Sequence, residues 1–337
     1  MKLDKNTNIL IIGLGVIGGG YARALTRQGY RVSAITKERH DVDYARAHGI
    51  LENATTETDP DLIRKADLLI FALYPHTFIE WIRAYGHLIR PGALVTDVTG
   101  VKSVVVETVQ ALLPPGVEFV AAHPMAGRER SGIEYSDDGV FRGANYIVTP
   151  TEKNTREGID TCRELGRVLG FSRISELSPG EHDSMIAFLS QLTHIIAVTL
   201  MDARDMTGLE KYTGDSFRDL TRIAKINDAM WAELFSANRD ALLAEMDAFG
   251  QEFSRFRELL AAGDIDGMRA KMRLSTARRA LFDRPAVPSG SAATPEAPSA
   301  SSDSVATPET PSASSGSAAA PAASPSPAGH SVITETK

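Results

Sequence analysis

A glycine loop near the start of this sequence has the spacing needed to bind a dinucleotide. Residues 13–18, Gly-Leu-Gly-Val-Ile-Gly, follow an apolar run and precede a helical pattern. The glycines permit a tight turn and a close approach of the pyrophosphate, which then faces the helix N-terminus. All six positions are predicted to contact the cofactor: Gly13, Leu14, Gly15, Val16, Ile17 and Gly18.

The residues after the second predicted strand bear on which dinucleotide binds. An acidic residue usually binds the adenosine ribose there, but this chain has Thr36, Lys37, Glu38 and Arg39. The Thr36 hydroxyl and the cations Lys37 and Arg39 suit a 2′-phosphate better than a 2′-hydroxyl. We therefore predict NADP, with NAD as the alternative if Glu38 supplies the ribose contact. Tyr74, directly after a predicted strand, is a further predicted cofactor contact.

His123 is the residue best suited to proton transfer. It follows a predicted strand at 118–122, and the carboxyl ends of strands in a doubly wound sheet face the ligand. A lone histidine is more often a core residue. Here a polar loop follows at 128–132, and a second cluster comes later as Asp-Leu-Thr-Arg at 219–222. Together they favour a catalytic role for His123.

The elements that would position these residues follow an alternating pattern. Strands are predicted at 8–12, 31–35, 68–73, 93–97, 118–122 and 145–148, with helices at 16–28 and 41–48. Strands separated by helices indicate βαβ units in one parallel sheet with helices on both faces. The predicted class is α/β, with a Rossmann-type doubly wound sheet in a domain at 1–170.

The second half of the chain predicts an all-helical dimerisation domain at 171–284. Ser178-Pro-Gly-Glu181 has the residues of a capping box, and the helix that follows to about 205 is apolar on nearly all sides. A second subunit would cover it, so we predict a homodimer. Residues 285–337 hold nine of the 17 prolines and no aromatic residue, and are predicted to be a disordered tail.

The composition of the chain excludes several classes of binding partner. The net charge of −7 argues against nucleic acid, and the one cysteine, Cys162, gives neither a disulfide framework nor a cysteine-based metal site. No metal is predicted. The apolar run at 9–12 is too short for a signal peptide or a membrane span. We therefore expect a cytoplasmic protein without a membrane partner.

Taken together, the motifs resemble the prephenate/arogenate dehydrogenase family of tyrosine biosynthesis. The segments that carry this resemblance are 13–18, 97–102, 123–129, 181–183, 190–194, 219–224 and 230–231. Their joint order and spacing are not those of the related β-hydroxyacid dehydrogenases. The resemblance implies a prephenate dehydrogenase, which oxidises and decarboxylates prephenate to 4-hydroxyphenylpyruvate with NAD(P).

The resemblance also implies roles for individual residues. His123 matches the catalytic histidine that draws the proton of the substrate hydroxyl. Arg222 matches the arginine that binds a substrate carboxylate. Glu129 matches a residue that pairs with this arginine. His194 is expected near the substrate, whereas His182 is either a site residue or a solvated residue at a helix start.

The chain departs from the family pattern at two positions. Gly100 stands where many relatives have a serine, so Thr99 or a water is expected to take over the contact of the missing hydroxyl. Gln191 stands where some relatives have a histidine, and it is expected to bind substrate by hydrogen bonding. Two other functions stay open. One is arogenate dehydrogenase, and the other is a non-catalytic NADP-binding sensor, against which the presence of His123 and Arg222 argues.

Overall fold

The computed structural model describes residues 2–127 and 130–283, so the predicted tail at 285–337 lies outside the described residues. The chain divides into two compact units, 1–274 and 275–337. Both sheets and every candidate site residue that is described belong to the first unit.

A six-stranded parallel sheet forms the base of the N-terminal part, with the strand order β3-β2-β1-β4-β5-β6. Its strands are β1 (Asn8–Ile12), β2 (Arg31–Ile35), β3 (Ala54–Thr55), β4 (Leu68–Phe71), β5 (Leu94–Asp97) and β6 (Glu118–Phe119). All four residues of β4 are buried, as expected for a parallel strand covered on both faces. The predicted doubly wound sheet is confirmed.

Helices cover both faces of this sheet. They are α1 (Val16–Arg27), α2 (Arg39–Ala47), α3 (Pro60–Lys65), α4 (Pro75–Tyr85), α5 (Ser103–Leu112) and α6 (Arg156–Leu169). One core cluster contains Tyr21 of α1 and Leu165 of α6. The other contains Phe78 of α4 and Val105 of α5. Burial of both faces fixes the sheet and thereby the points from which the loops at its carboxyl edge begin.

A second, three-stranded sheet was not expected. It consists of β7 (Ala121–Met125), β8 (Asn145–Thr149) and β9 (Arg173–Glu176), with β8 antiparallel to β7 and parallel to β9. The prediction that 118–122 is one strand, and that 145–148 belongs to the parallel sheet, is therefore wrong. The cause is Asp97 at the end of β5. Its side chain, rather than a β5 carbonyl, accepts the amide hydrogen of Ala122 at 3.0 Å, and the chain leaves the parallel sheet there.

The C-terminal part is helical. Its helices are α7 (Pro179–Ile186), α8 (Thr193–Asp202), α9 (Asp215–Thr221), α10 (Asp228–Ala237), α11 (Arg239–Ala261) and α12 (Ile265–Ala280). The capping box predicted before α7 is present, with Glu181 accepting from the Ser178 amide at 2.8 Å and Ser178 accepting from the Glu181 amide at 3.3 Å. A π-helical segment, Ala187–Leu192, joins α7 to α8.

The joined helix Pro179–Asp202 is, by length and composition alone, long and apolar enough to cross a membrane. No such stretch was predicted from the sequence. Phe188 and Leu189 are exposed on it, and Phe253 is exposed on α11. α11 packs against the π-helical segment, so these apolar side chains belong to neighbouring elements. Their exposed apolar surface matches the subunit contact that is predicted from the sequence.

Candidate active site

The glycine loop joins β1 to α1 at the carboxyl edge of the parallel sheet. Gly13 has a φ of +96°, and a Cβ there would lie 2.5 Å from the carbonyl oxygen of Ala72. A Cβ on Gly18 would lie 2.0 Å from the Gly13 carbonyl oxygen. At Gly15, by contrast, nothing lies within 4 Å of the Cβ position. Two glycines therefore allow the turn, and the third leaves open space at the N-terminus of α1, where a phosphate is favoured.

The end of β2 presents a hydroxyl and mixed charges. Thr36 is buried, and its hydroxyl donates to Asp41 at 3.1 Å. Burial raises the pKa of Asp41, although the hydrogen bond from Thr36 opposes this shift. Arg39 donates to Asp43 at 3.0 Å within α2, whereas Lys37 is exposed. Glu38 is the N-cap residue of α2.

Tyr74 lies at the carboxyl end of β4, where it is the N-cap residue of α4. Its hydroxyl accepts a hydrogen bond from the Asn227 amide group at 3.2 Å. Asn227 in turn caps α10 by accepting from the Met230 amide at 3.0 Å. The helical part is thereby tied to the sheet edge beside the glycine loop.

An ion pair with no solvent exposure lies under the site. The Lys102 ammonium is 2.7 Å from Asp97 Oδ2, and both side chains are fully buried. The same ammonium donates to the Ala122 carbonyl at 2.7 Å and to the Thr99 hydroxyl at 3.1 Å. Burial lowers the pKa of Lys102, and the Asp97 carboxylate opposes this shift. Lys102 therefore faces neither solvent nor an open site, and it fixes the chain just before His123.

Asp183 connects the sheet to the first helix of the C-terminal part. Its carboxylate accepts from the backbone amides of Lys102 at 2.8 Å and Ser103 at 2.7 Å, at the start of α5. Burial raises the pKa of Asp183, but hydrogen bonds from His182 and Ser103 outweigh it, and the pKa lies below the usual value. The negative charge of Asp183 also suits the positive end of the α5 dipole.

His123 lies on β7 and meets His182 from α7. Nδ1 of His123 is 2.9 Å from Nε2 of His182, and Nδ1 of His182 is 2.8 Å from Asp183 Oδ1. Burial lowers the pKa of His123 well below its usual value, and the neighbouring His182 and Lys102 lower it further. His182 is fully buried, so it is not a solvated residue at a helix start. Sequence reasoning left this residue undecided.

Two predicted substrate contacts are placed inside the protein. The Thr99 hydroxyl donates to the Val101 carbonyl at 2.9 Å and lies within hydrogen-bond distance of Asp97. The Gln191 amide donates to the Leu234 carbonyl at 3.0 Å and accepts from Asn238 at 2.8 Å. Both residues are buried, and these bonds favour structural roles over the substrate contacts that the sequence predicts.

The structure places two further predicted substrate residues, His194 and Arg222, around α8. The His194 ring packs on Trp231 of α10 with 3.8 Å between ring centroids, and its Nδ1 is 2.9 Å from the Ser190 carbonyl. Arg222 is exposed and begins a short 3₁₀ turn that packs against α8. Glu129 lies outside the described residues.

Gly100 follows β5 and lies beside the imidazole of His123. A Cβ at this position would be 3.9 Å from His123 Cε1 and 3.5 Å from a methyl carbon of Leu234, which are ordinary contact distances. The position therefore has room for a serine. The Thr99 hydroxyl does not take its place, because it is bound within the network under the site.

With this geometry in view, comparisons with known proteins identify the family. Residues 21–171 match the nucleotide-binding domain of prephenate dehydrogenase, and residues 178–274 match its dimerisation domain. The chain is 30% identical over 267 residues to the cyclohexadienyl dehydrogenase of Zymomonas mobilis, covering 77% of this chain and 90% of that protein.

The chain belongs to the prephenate dehydrogenase family. Its members include the prephenate dehydrogenase of Bacillus subtilis, to which it is 28% identical over 275 residues, 80% of this chain and 74% of that one. The solved structure of prephenate dehydrogenase from A. aeolicus with hydroxyphenyl propionate and NAD+ superposes with a TM-score of 0.77 at 27% identity. That match covers 84% of this chain and all of the other. The predicted family and its NAD(P)-dependent oxidoreductase class are confirmed.

A polar network lies beneath the site, and its members were not predicted from the sequence. The sequence alone allows Lys102 to face either the site or solvent, and it assigns no role to Asp97 or Asp183. A sequence signal existed for the first pair, since an acid ending an apolar strand with a lysine five residues later suits a buried ion pair. No local signal pointed to the contact between Asp183 and α5, which joins residues about 80 positions apart.

We predict that Lys102→Met destabilises the fold by about 3–5 kcal/mol, because it leaves the Asp97 carboxylate buried without its cation. Urea unfolding measures the change in the free energy of unfolding. All variants are compared at the same protein concentration, because the stability of a dimer depends on that concentration. Lys65→Met, at the exposed end of α3, is the control and should change stability by less than about 0.5 kcal/mol. Equal stabilities of the two variants would contradict the role assigned to the buried pair.

Proposed function

We propose that this protein is a prephenate dehydrogenase that converts prephenate to 4-hydroxyphenylpyruvate and carbon dioxide. The observation that carries the proposal is the position of His123. It lies beyond the carboxyl end of β5, beside Gly100, at the sheet edge that also carries the glycine loop. The hydrogen bond to His182 holds its ring in place. A neutral, oriented imidazole at this edge is suited to accept the proton of a substrate hydroxyl.

The proposed reaction balances as one hydride transfer coupled to one decarboxylation. An oxidised nicotinamide, once bound at the glycine loop, would supply the acceptor for the hydride of the ring carbon that carries the hydroxyl. His123 takes the hydroxyl proton as the hydride leaves. The ring carboxylate then departs as carbon dioxide, its bonding electrons make the ring aromatic, and the oxygen regains a proton to form the phenol. The protein's task is to position the substrate and to stabilise charge at this oxygen.

Arg222 and His194 are proposed to hold the substrate. The guanidinium of Arg222 suits bidentate binding of a carboxylate, and prephenate carries two carboxylates. Arg222 starts a turn packed on α8, the helix that carries His194, so one helix supports both residues. Glu129 stays a proposed partner of Arg222.

Initial rates with prephenate test the proposal directly. The wild-type protein should turn over prephenate, and His123→Ala should bind cofactor normally but lose about 10²–10⁴-fold in kcat, the usual contribution of a general base. His87→Ala, an exposed histidine in a 3₁₀ turn, is the matched control and should keep the wild-type rate. Binding of cofactor and prephenate without any reduction would instead favour the sensor hypothesis.

Arogenate is the second candidate substrate, because it differs from prephenate only in an amino group for the side-chain keto group. The Zymomonas relative is named a cyclohexadienyl dehydrogenase, a name not restricted to one of the two substrates. The same rate measurement with arogenate decides between them. A higher kcat/KM for arogenate would overturn our choice of prephenate.

NADP is the proposed cofactor in preference to NAD. Support comes from the end of β2, where Thr36 stands in place of the usual acidic residue and Lys37 presents an exposed ammonium, although the Thr36 hydroxyl is bound to Asp41. Arg39 contributes less to this proposal than the sequence suggests, because its guanidinium is paired with Asp43.

Lys37→Ala should raise the KM for NADP by about 10- to 100-fold, the effect of losing a charged hydrogen bond to a 2′-phosphate, and leave the KM for NAD unchanged. Thr36→Asp should shift the preference towards NAD, because a carboxylate repels the phosphate and binds the ribose hydroxyls. Lys65→Ala on α3 serves as the control. Wild-type protein that prefers NAD would show that the residues after β2 do not select NADP.

Arg222→Ala should raise the KM for prephenate by about 10- to 100-fold with a smaller effect on kcat, because a carboxylate loses its bidentate partner. The KM for the cofactor should stay the same. Arg64→Ala, an exposed arginine of α3, controls for loss of positive charge. A rise in the cofactor KM alone would place Arg222 at the nucleotide instead of the substrate.

A homodimer in the cytoplasm is the proposed state of the protein. The match of residues 178–274 to a dimerisation domain supports the dimer, as do the exposed Phe188 on the π-helical segment and Phe253 on α11. Burial of such side chains against a second copy removes apolar surface from water, which stabilises association. The apolar helix Pro179–Asp202 is thereby assigned to a subunit interface and not to a membrane.

A further inference from the structure

A line of hydrogen bonds runs inward from the site through His123, His182 and Asp183. The separations are 2.9 Å between the two imidazoles and 2.8 Å between His182 and Asp183. His123 comes from β7 of the sheet part, and the other two come from the first turns of α7. His182 is fully buried and Asp183 nearly so, which excludes water from the inner end of the line.

The direction of each hydrogen bond follows from Asp183. Its two carboxylate oxygens accept from the backbone amides of Lys102 and Ser103, and these donors cannot reverse. An ionised carboxylate only accepts, so Nδ1 of His182 must carry a hydrogen. A neutral His182 then has a lone pair on Nε2, and Nδ1 of His123 must be the donor to it. In neutral His123 the remaining nitrogen, Nε2, is left without a hydrogen.

We infer that His182 and Asp183 are positioning residues that hold His123 in the tautomer whose Nε2 is the base for the substrate hydroxyl. This inference rests on the proposed function, because it assigns an atom to the proton transfer proposed for His123. In the opposite tautomer Nε2 of His123 already carries a hydrogen, so this atom cannot accept the proton of the substrate hydroxyl.

The same line stabilises the product of the proton transfer. When His123 becomes an imidazolium, its Nδ1 hydrogen still points at the His182 lone pair, with the Asp183 negative charge behind it. The Lys102 ammonium acts against the charged form, since it lowers the pKa of His123, although Asp97 is its direct partner at 2.7 Å. The oriented acceptor offsets part of the cost of charging this buried imidazole, and no water has to reorganise for it to do so.

The hydrogen bond from His123 to His182 is especially important in this chain because position 100 is a glycine. A glycine supplies no hydroxyl to the imidazole, and the nearby Thr99 hydroxyl is bound to the Val101 carbonyl. The orientation of His123 therefore depends on the acceptor provided by His182.

A pair of variants at position 182 tests the inference through turnover. His182→Phe keeps an aromatic ring but removes the acceptor, and it should lower kcat by about 10²-fold or more with little change in either KM, as expected when a base is no longer held in its productive tautomer. His182→Gln places an amide oxygen where Nε2 was, and it should recover at least about 10-fold in kcat over His182→Phe. Equal kcat values for the two variants, or a wild-type kcat in His182→Phe, would overturn the inference.

The tautomers themselves provide a readout that does not need turnover. Long-range ¹H–¹⁵N spectra of the histidine-labelled wild-type protein, with His123 assigned by its loss in His123→Ala, should show hydrogen on Nδ1 of both His123 and His182. A hydrogen on Nε2 of His123 would overturn the inference. If the tautomers are as expected but prephenate is not turned over, the proposed function fails while the arrangement of the histidines stands.

Discussion

A buried ammonium–carboxylate pair, Lys102 with Asp97, fixes the chain segments on which the site depends. Asp97 ends β5 and accepts the backbone amide of Ala122, while Lys102 donates to the carbonyl of the same residue. Ala122 therefore has both backbone groups bound by side chains, directly before His123. Two charges without solvent are stable only when each has its partner and its hydrogen bonds, so the geometry here has little freedom.

The backbone of Lys102 extends the same constraint to the helical part. Its amide donates to Asp183, so one residue is bound through its side chain to the end of β5 and through its main chain to α7. Asn238, which joins α10 to α11, donates to the carbonyl of Asp183 at 2.8 Å. The position of His123 relative to His182 is thus set from both sides by short hydrogen bonds between buried groups.

The parts of the molecule that follow from local pattern could be predicted from the sequence. The glycine loop, β1, β2 and the capping box at Ser178 each depend on neighbouring residues, and the structure has them where the pattern indicates. The division of 118–122 between two sheets could not be predicted, because it depends on a side chain from β5 that is distant in sequence. The burial of His182 likewise depends on how α7 packs on α5. Thr99 is predicted to contact substrate, but its hydroxyl is bound to Asp97 and Lys102, whose pairing the local sequence pattern does not reveal.

The hydrogen bond between His123 and His182 crosses from the nucleotide-binding part to the dimerisation part. Hydrogen bonds weaken steeply beyond about 3.2 Å, so a separation of the two parts by a single ångström would take the acceptor away from His123. The tautomer inferred for His123 therefore depends on how the dimerisation part is seated on the nucleotide-binding part. A change that shifts one part against the other would alter the proton affinity of this imidazole.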